Sequence, residues 1–128
     1  MINFALIAIS QVQGRIRFSK LEIDGICPFD LFCEQIRLEG NLVKQLKNVT
    51  AIMDRVSNGQ LVSGDKFRDI TTVGDHIKEY EIKTRDLRIY VFKERGNIIV
   101  SGGKKSTQRK DIQKFRSIKR QYINSIQP

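Results

Sequence analysis

The stretch KEYEIKTRDLRIYVFKERGNIIVSGGKKSTQ, residues 78–108, decides how this chain folds. Glu79-Tyr80-Glu81-Ile82-Lys83 alternates polar and apolar residues, the period of a half-buried strand. Thr84, Arg85 and Asp86 can turn the chain. Leu87 to Lys93 alternates again: Leu87, Ile89 and Val91 point one way, while Arg88, Tyr90 and Phe92 point the other. Arg95-Gly96-Asn97 supplies a residue that tolerates positive φ, as a hairpin turn requires. Ile98-Ile99-Val100-Ser101 is apolar enough for a central strand, Gly102-Gly103 reads as its end, and Lys104-Lys105 follow at once. The pattern predicts an antiparallel meander with cations at its strand ends and on its faces.

Working outward, residues 2–9 read as a buried strand and Gln11 to Gly14 as a turn. Arg15 to Ile23 reads as a second strand. Its Ile16 and Phe18 share one parity and Leu21 and Ile23 the other, so a bulge near Ser19-Lys20 is expected to bring all four to one core. Pro28 fits the start of a helix, and Phe29, Phe32, Cys33 and Ile36 recur at helical spacing up to Gly40. Asn41 is placed to cap a second helix with the stripe Leu42, Leu46, Val49, Ile52, Met53 and Val56, stopped at Asn58-Gly59. Residues 58–76 read as a loop anchored by Phe67 and Ile70, ending at His76, the only histidine, which reads as a plain surface residue with a catalytic role as the alternative. Ser106 or Thr107 can cap a last helix with Asp111 in its first turn. Ile112, Phe115, Ile118 and Tyr122 form its buried stripe, and Arg109, Lys110, Lys114, Arg116, Lys119 and Arg120 its remaining surface.

The fold class is therefore α+β. One domain, residues 1–128, holds a small, mainly antiparallel twisted sheet, a helical hairpin packed on it and a basic C-terminal helix, with an extra β-hairpin over about residues 1–25. Hydrophobic residues make up 40% of the chain, enough for a folded core. No apolar run approaches a membrane span, and the apolar start lacks the charged and small-residue flanks of a signal peptide. Cys27 and Cys33 have no metal-ligand spacing and read as reduced thiols of a cytoplasmic protein. Net charge is +9, and residues 65–128 hold 16 Lys+Arg against 8 Asp+Glu. That asymmetry points to a polyanionic partner, nucleic acid first.

Three pieces of the chain carry a family likeness. Tyr80-Glu81-Ile82-Lys83-Thr84-Arg85, Leu87-Arg88-Ile89-Tyr90-Val91-Phe92, and the junction Ile99-Val100-Ser101-Gly102-Gly103-Lys104-Lys105-Ser106-Thr107-Gln108 follow a pair of helices and precede a last one. In this order the chain resembles the RelE/ParE superfamily of bacterial toxins, and within it the HigB-like, phage-related branch. The likeness covers about residues 29–125. It implies a RelE-like fold and the toxin of a type II toxin–antitoxin pair: a ribosome-dependent mRNA endoribonuclease that inhibits translation. In such enzymes the 2′-hydroxyl attacks the adjacent phosphate, leaving a cyclic phosphate and a 5′-hydroxyl.

By position the resemblance implies catalytic roles for Glu81 as base, Arg88 as phosphate clamp and Lys83. Arg85, Lys104, Lys105 and Arg109 would hold RNA. No cofactor or metal is implied, because cations can stabilise the phosphorane. The implied partners are a cognate antitoxin with an acidic segment over the site, messenger RNA on the ribosome, and operator DNA only through the antitoxin complex; no membrane partner is implied. Residues 104–111 contain no His or Tyr, where many relatives place an acid or stacking group. Other readings stand beside these. Glu81 and Arg88 can form a plain cross-strand ion pair, and Lys104-Lys105 a solvated loop. The whole chain can be a ParE-like, non-enzymatic gyrase-binding toxin, or a nucleic-acid-binding module that uses its basic helix.

Overall fold

The computed structural model describes residues 1–127. The elements in chain order are β1 (Phe4–Ala8), β2 (Phe18–Ile23), α1 (Pro28–Glu39), α2 (Val43–Ser57), β3 (Phe67–Asp69), β4 (Glu79–Lys83), β5 (Leu87–Lys93), β6 (Asn97–Lys104), a 3-10 turn (Lys105–Thr107) and α3 (Gln108–Ile126). The strands form one sheet in the order β1-β2-β6-β5-β4-β3. Neighbours run antiparallel except β2 and β6, which are parallel, so the sheet is mixed. No helix among the described residues is long and apolar enough to cross a membrane.

Alternation in the meander makes both of its faces apolar, and the chain covers both. Leu87, Ile89, Val91, Ile82 and Ile99 pack with Phe29, Phe32 and Ile36 of α1 and Leu46, Val49, Ile52 and Met53 of α2. Tyr90, Phe92, Ile98 and Val100 pack on the other side with Leu21 of β2 and with Phe115 and Tyr122 of α3. Phe115 is fully buried, stacked at 5.7 Å from Tyr90 and tilted at 6.4 Å from Phe92. A phenyl ring buried to that degree contributes about 1.5–3 kcal/mol.

This two-sided core explains several departures from the sequence reading. β2 needs no bulge: its pairing with β1 is unbroken from Phe4↔Ile23 to Ala8↔Ser19. Phe18 enters the α1/α2 core and Leu21 the α3 core, so opposite parities are both buried. The bulge falls in β6 instead, where Tyr90 opposes Ser101 and Val91 opposes Ile99, leaving Val100 as the extra residue. Gly102 and Gly103 lie inside β6 rather than ending it. A Cβ on Gly102 would collide with the Phe32 ring, and one on Gly103 with the Asp111 carboxylate, so close helix approach from both sides demands glycine there.

Elsewhere, α1 ends at Gly40, as read, and Gly40 takes the left-handed conformation there. α2 is preceded by Leu42 rather than capped by Asn41. Part of the 58–76 loop pairs with β4 as the short strand β3. β1 is not buried: as the outermost strand, it exposes Ala5 to Ala8. The β1–β2 connection is longer than a four-residue turn. It docks on the end of α2, where Ile16 N–H donates to Ser57 O (3.0 Å) and Ser57 Oγ donates to Ile16 O (2.8 Å).

Candidate functional site

The expected RNA-binding residues sit at one end of the sheet. Lys83 of β4 pairs across to Arg88 of β5, and Leu87 pairs across to Lys104 of β6. Lys105 N–H donates to Asp86 O at 2.8 Å, tying the β6–α3 junction to the β4–β5 turn. Arg85, Lys105 and Arg109 are exposed there, and Lys83 and Lys104 are half-buried. Two open grooves flank this end. One of about 540 Å³ is lined by Asn41, Leu42, Asp86, Lys104, Lys105 and Ser106. The other, of about 490 Å³, runs along α3 past Gln108, Arg109, Ile112, Gln113 and Arg116.

The turn that carries Arg85 is held from below. Gln45 of α2 accepts hydrogen bonds from Thr84 Oγ1 (2.6 Å) and Asp86 N–H (2.8 Å), and donates to Asp86 Oδ2 (2.7 Å). Gln45 carries no signal in the sequence, because a glutamine beside an apolar helical stripe reads as solvated. Lys104 Nζ donates to Glu39 Oε1 at 2.6 Å, which holds the Glu39 carboxyl below the usual carboxylate range. Lys104 therefore belongs to an ion pair at the end of α1, not to a free loop.

Glu81 and Arg88 share the α3 face of the sheet but do not pair with each other. Glu81 is fully buried; its Oε2 accepts from Gln108 Nε2 at 2.7 Å, and its Oε1 has no protein partner. Arg88 is 5% exposed and donates from one terminal nitrogen to Thr84 O (2.7 Å) and Leu87 O (2.8 Å). Arg88 Nε, Tyr90 Oη and Ser101 Oγ on the same face also lack partners. Since Glu81 pairs across to Tyr90, and Tyr90 to Ser101, these groups form a buried polar layer beneath the first turn of α3. Burial, reinforced by the nearby Glu81 charge, pushes the Tyr90 hydroxyl well above its ordinary value, so it stays protonated. Glu81, expected at an open site, is thus closed over by Gln108, and Arg88 is buried with its guanidinium bonded to the β4–β5 turn.

A second polar assembly escaped the sequence reading. Lys119, assigned there to the helix surface, is 4% exposed. Its Nζ donates to Glu79 Oε2 (2.9 Å), Asp75 Oδ2 (2.8 Å) and Ile77 O (3.0 Å). Arg116 Nε donates to Glu79 Oε1 at 3.1 Å, and its terminal nitrogen to Ile70 O at 2.7 Å. Helical spacing places Lys119 four residues after Phe115, on the buried side, which is the signal that could have found it. The hydrogen bond from Lys119 also keeps the Asp75 carboxyl below its usual value. His76 is exposed beside a cavity of about 270 Å³ that this assembly lines. Cys27 and Cys33 are buried free thiols, and burial raises Cys33 to about 11.

Compared with protein-family models, curated proteins and solved structures, the chain matches none. The functional reading therefore rests on the residues and their arrangement.

Proposed function

We propose that this chain is the toxin of a toxin–antitoxin pair, an endoribonuclease that cleaves messenger RNA on the ribosome. The observation that carries the reading is the convergence of Lys83, Arg85, Arg88, Lys104, Lys105 and Arg109 on one end of the sheet, next to a buried carboxylate. The helix pair, the β4-β5-β6 meander and the basic last helix follow in the order on which the family resemblance rests, with β3 inserted before β4.

In the proposed reaction the substrate 2′-oxygen loses its proton to Glu81 and attacks the adjacent phosphorus. The bond from phosphorus to the 5′-oxygen breaks, leaving a 2′,3′-cyclic phosphate. The departing oxygen takes up a proton from water and leaves as a 5′-hydroxyl while Glu81 returns its proton to water, so no other reactant is consumed. Arg88 and Lys83 face the negative charge that accumulates on the phosphorane, where preorganised cations act most strongly. Arg85, Lys105 and Arg109 hold flanking phosphates. Glu81 is wholly buried, with Gln108 on its Oε2, so this reading requires substrate binding to open the first turn of α3.

The test is induced expression in a bacterium, followed by mapping of message ends on programmed ribosomes. Growth arrest with new 5′-hydroxyl ends supports the proposal. Arrest with intact messages and inhibited DNA supercoiling would point to a gyrase-directed toxin. Salt-sensitive RNA binding without cleavage or arrest would leave a binding module.

A further inference from the structure

The two edges of the sheet are built differently. β3 at one edge spans three residues, two of them charged, Arg68 and Asp69. Short length and charge both discourage pairing with another strand. β1 at the other edge spans Phe4-Ala5-Leu6-Ile7-Ala8 and carries no charge, proline or bulge. In fact residues 1–14 contain no Asp, Glu, Lys or Arg, in a chain of which 29% is charged. Leu6 is 46% exposed, Ile7 37%, and Ile126 of α3 47%. Leu6, Tyr122 and Ile126 together line two hollows between the strand and α3, one of them bordered also by Arg17, Glu94 and Arg95. Among the described residues nothing pairs with the outer backbone groups of β1.

We propose that β1 pairs antiparallel with β1 of a second copy of this chain, joining two six-stranded sheets edge to edge about a two-fold axis through Leu6. The strand is self-complementary in that register. Phe4 falls opposite Ala8, Ala5 opposite Ile7, and Leu6 opposite itself, so each bulky side chain away from the axis meets a small one. A two-fold axis at Ala5 or Ile7 would leave part of the strand unpaired. Centring on Ala5 would also oppose Phe4 to Leu6. The net charge of +9 opposes self-association over most of the surface and opposes it least at β1, which carries no charged residue. An acidic partner is drawn instead to the cations around Lys105 and Arg109. An interface of one strand pair and its borders is small, so association on the order of micromolar is expected.

The experiment is sedimentation of the full chain from about 1 to about 300 µM, which brackets that midpoint. The wild-type chain should pass from monomer to dimer. Leu6→Lys sets two ammonium groups against each other across the axis and should weaken association at least tenfold, with an unchanged circular dichroism spectrum. Leu6→Cys covers the case in which the lysine variant misfolds. Residues facing each other across an antiparallel pair lie within disulfide range, so mild oxidation should capture a covalent dimer. A cysteine at exposed Val73, away from the strand, should not be captured. A chain that stays monomeric throughout, a dimer indifferent to Leu6→Lys, or equal capture of both cysteine variants would each overturn the proposal.

Discussion

Lys119 Nζ lies 2.9 Å from Glu79 Oε2, and both side chains are almost wholly buried between α3 and β4. The lysine has three acceptors for its three protons, and the carboxylate is shared with Arg116 and with Thr72. Such a pair is a weak source of net stability while intact, because desolvation offsets the attraction. Breaking it is costly.

Lys119→Met should therefore destabilise the chain by about 3 kcal/mol, the lower end for a broken buried pair, since Arg116 and Thr72 still hold the other oxygen. Adding Glu79→Gln should recover part of the loss. Urea unfolding of the single and double variants measures both, and a loss below about 1 kcal/mol for Lys119→Met would show that the lysine is not needed there.

The β4–β5 turn should depend on a residue far away in sequence. Gln45→Ala removes three hydrogen bonds from Thr84 and Asp86 and should cost about 1–3 kcal/mol. Gln45→Glu should be at least as harmful, because it sets a second carboxylate against Asp86. If the glutamate variant melts with the wild type, the clamp contributes nothing.

The meander was legible in the sequence because each of its pairings is local: alternation gives the faces, and Gly96 marks the turn. Helix starts and stops at Pro28, Gly40 and Asn58-Gly59 were legible for the same reason. Non-local placement was not. The parallel pairing of β2 with β6 leaves no mark in either strand. That α3 covers the second face could be read only from the buried parity of Tyr90 and Phe92 together with Leu21, and the parity of β2 alone is equally compatible with a bulge. The same omission made Lys119 and Arg88 look exposed. The cationic end was legible as composition, but the burial of Glu81 beneath Gln108 was not, because a strand glutamate gives no sign of what lies over it.

Alkaline pH should destabilise the fold through Cys33. Its thiol is raised from 9.0 to about 11, mainly by burial, so the folded state keeps a proton that the unfolded chain loses first. The stabilising contribution is complete below pH 9 and disappears as pH rises towards 11. Urea midpoints measured across that range should fall for the wild type and fall less steeply for Cys33→Ala. Parallel slopes would rule the thiol out.

Glu81→Gln separates structure from chemistry. The carboxylate is buried with one oxygen unpartnered, so a neutral amide should leave stability unchanged or higher. If Glu81 is the general base, cleavage on programmed ribosomes should drop about 100-fold or more. A stable Glu81→Gln protein with full cleavage activity would remove Glu81 from the mechanism.

Arg88 requires a subtler test, because the proposed phosphate clamp and the observed tie to the β4–β5 turn are different tasks. From sequence it is expected at the mouth of a site with few contacts, where truncation would leave stability untouched. In the fold it is 5% exposed and its guanidinium ties Thr84 O and Leu87 O together at the start of β5. Leu87 O keeps a second donor, Thr84 N–H at 3.1 Å, whereas the loss at Thr84 O is not made good in the same way. Arg88→Ala should therefore cost about 1–3 kcal/mol. Arg88→Lys keeps a donor and a charge near the same carbonyls and should cost less. A phosphate clamp predicts a different ranking for activity. Losing a donor that acts in the transition state costs on the order of 100- to 1000-fold in rate, and lysine cannot replace the planar, bidentate geometry of arginine. Cleavage is measured well below the melting temperature of each variant, so that every protein is folded. Under the clamp reading Arg88→Lys is stable yet impaired, and Arg88→Ala is inactive though folded. If both folded variants cleave at the wild-type rate, Arg88 serves only to close the turn, and the cationic end loses its catalytic member.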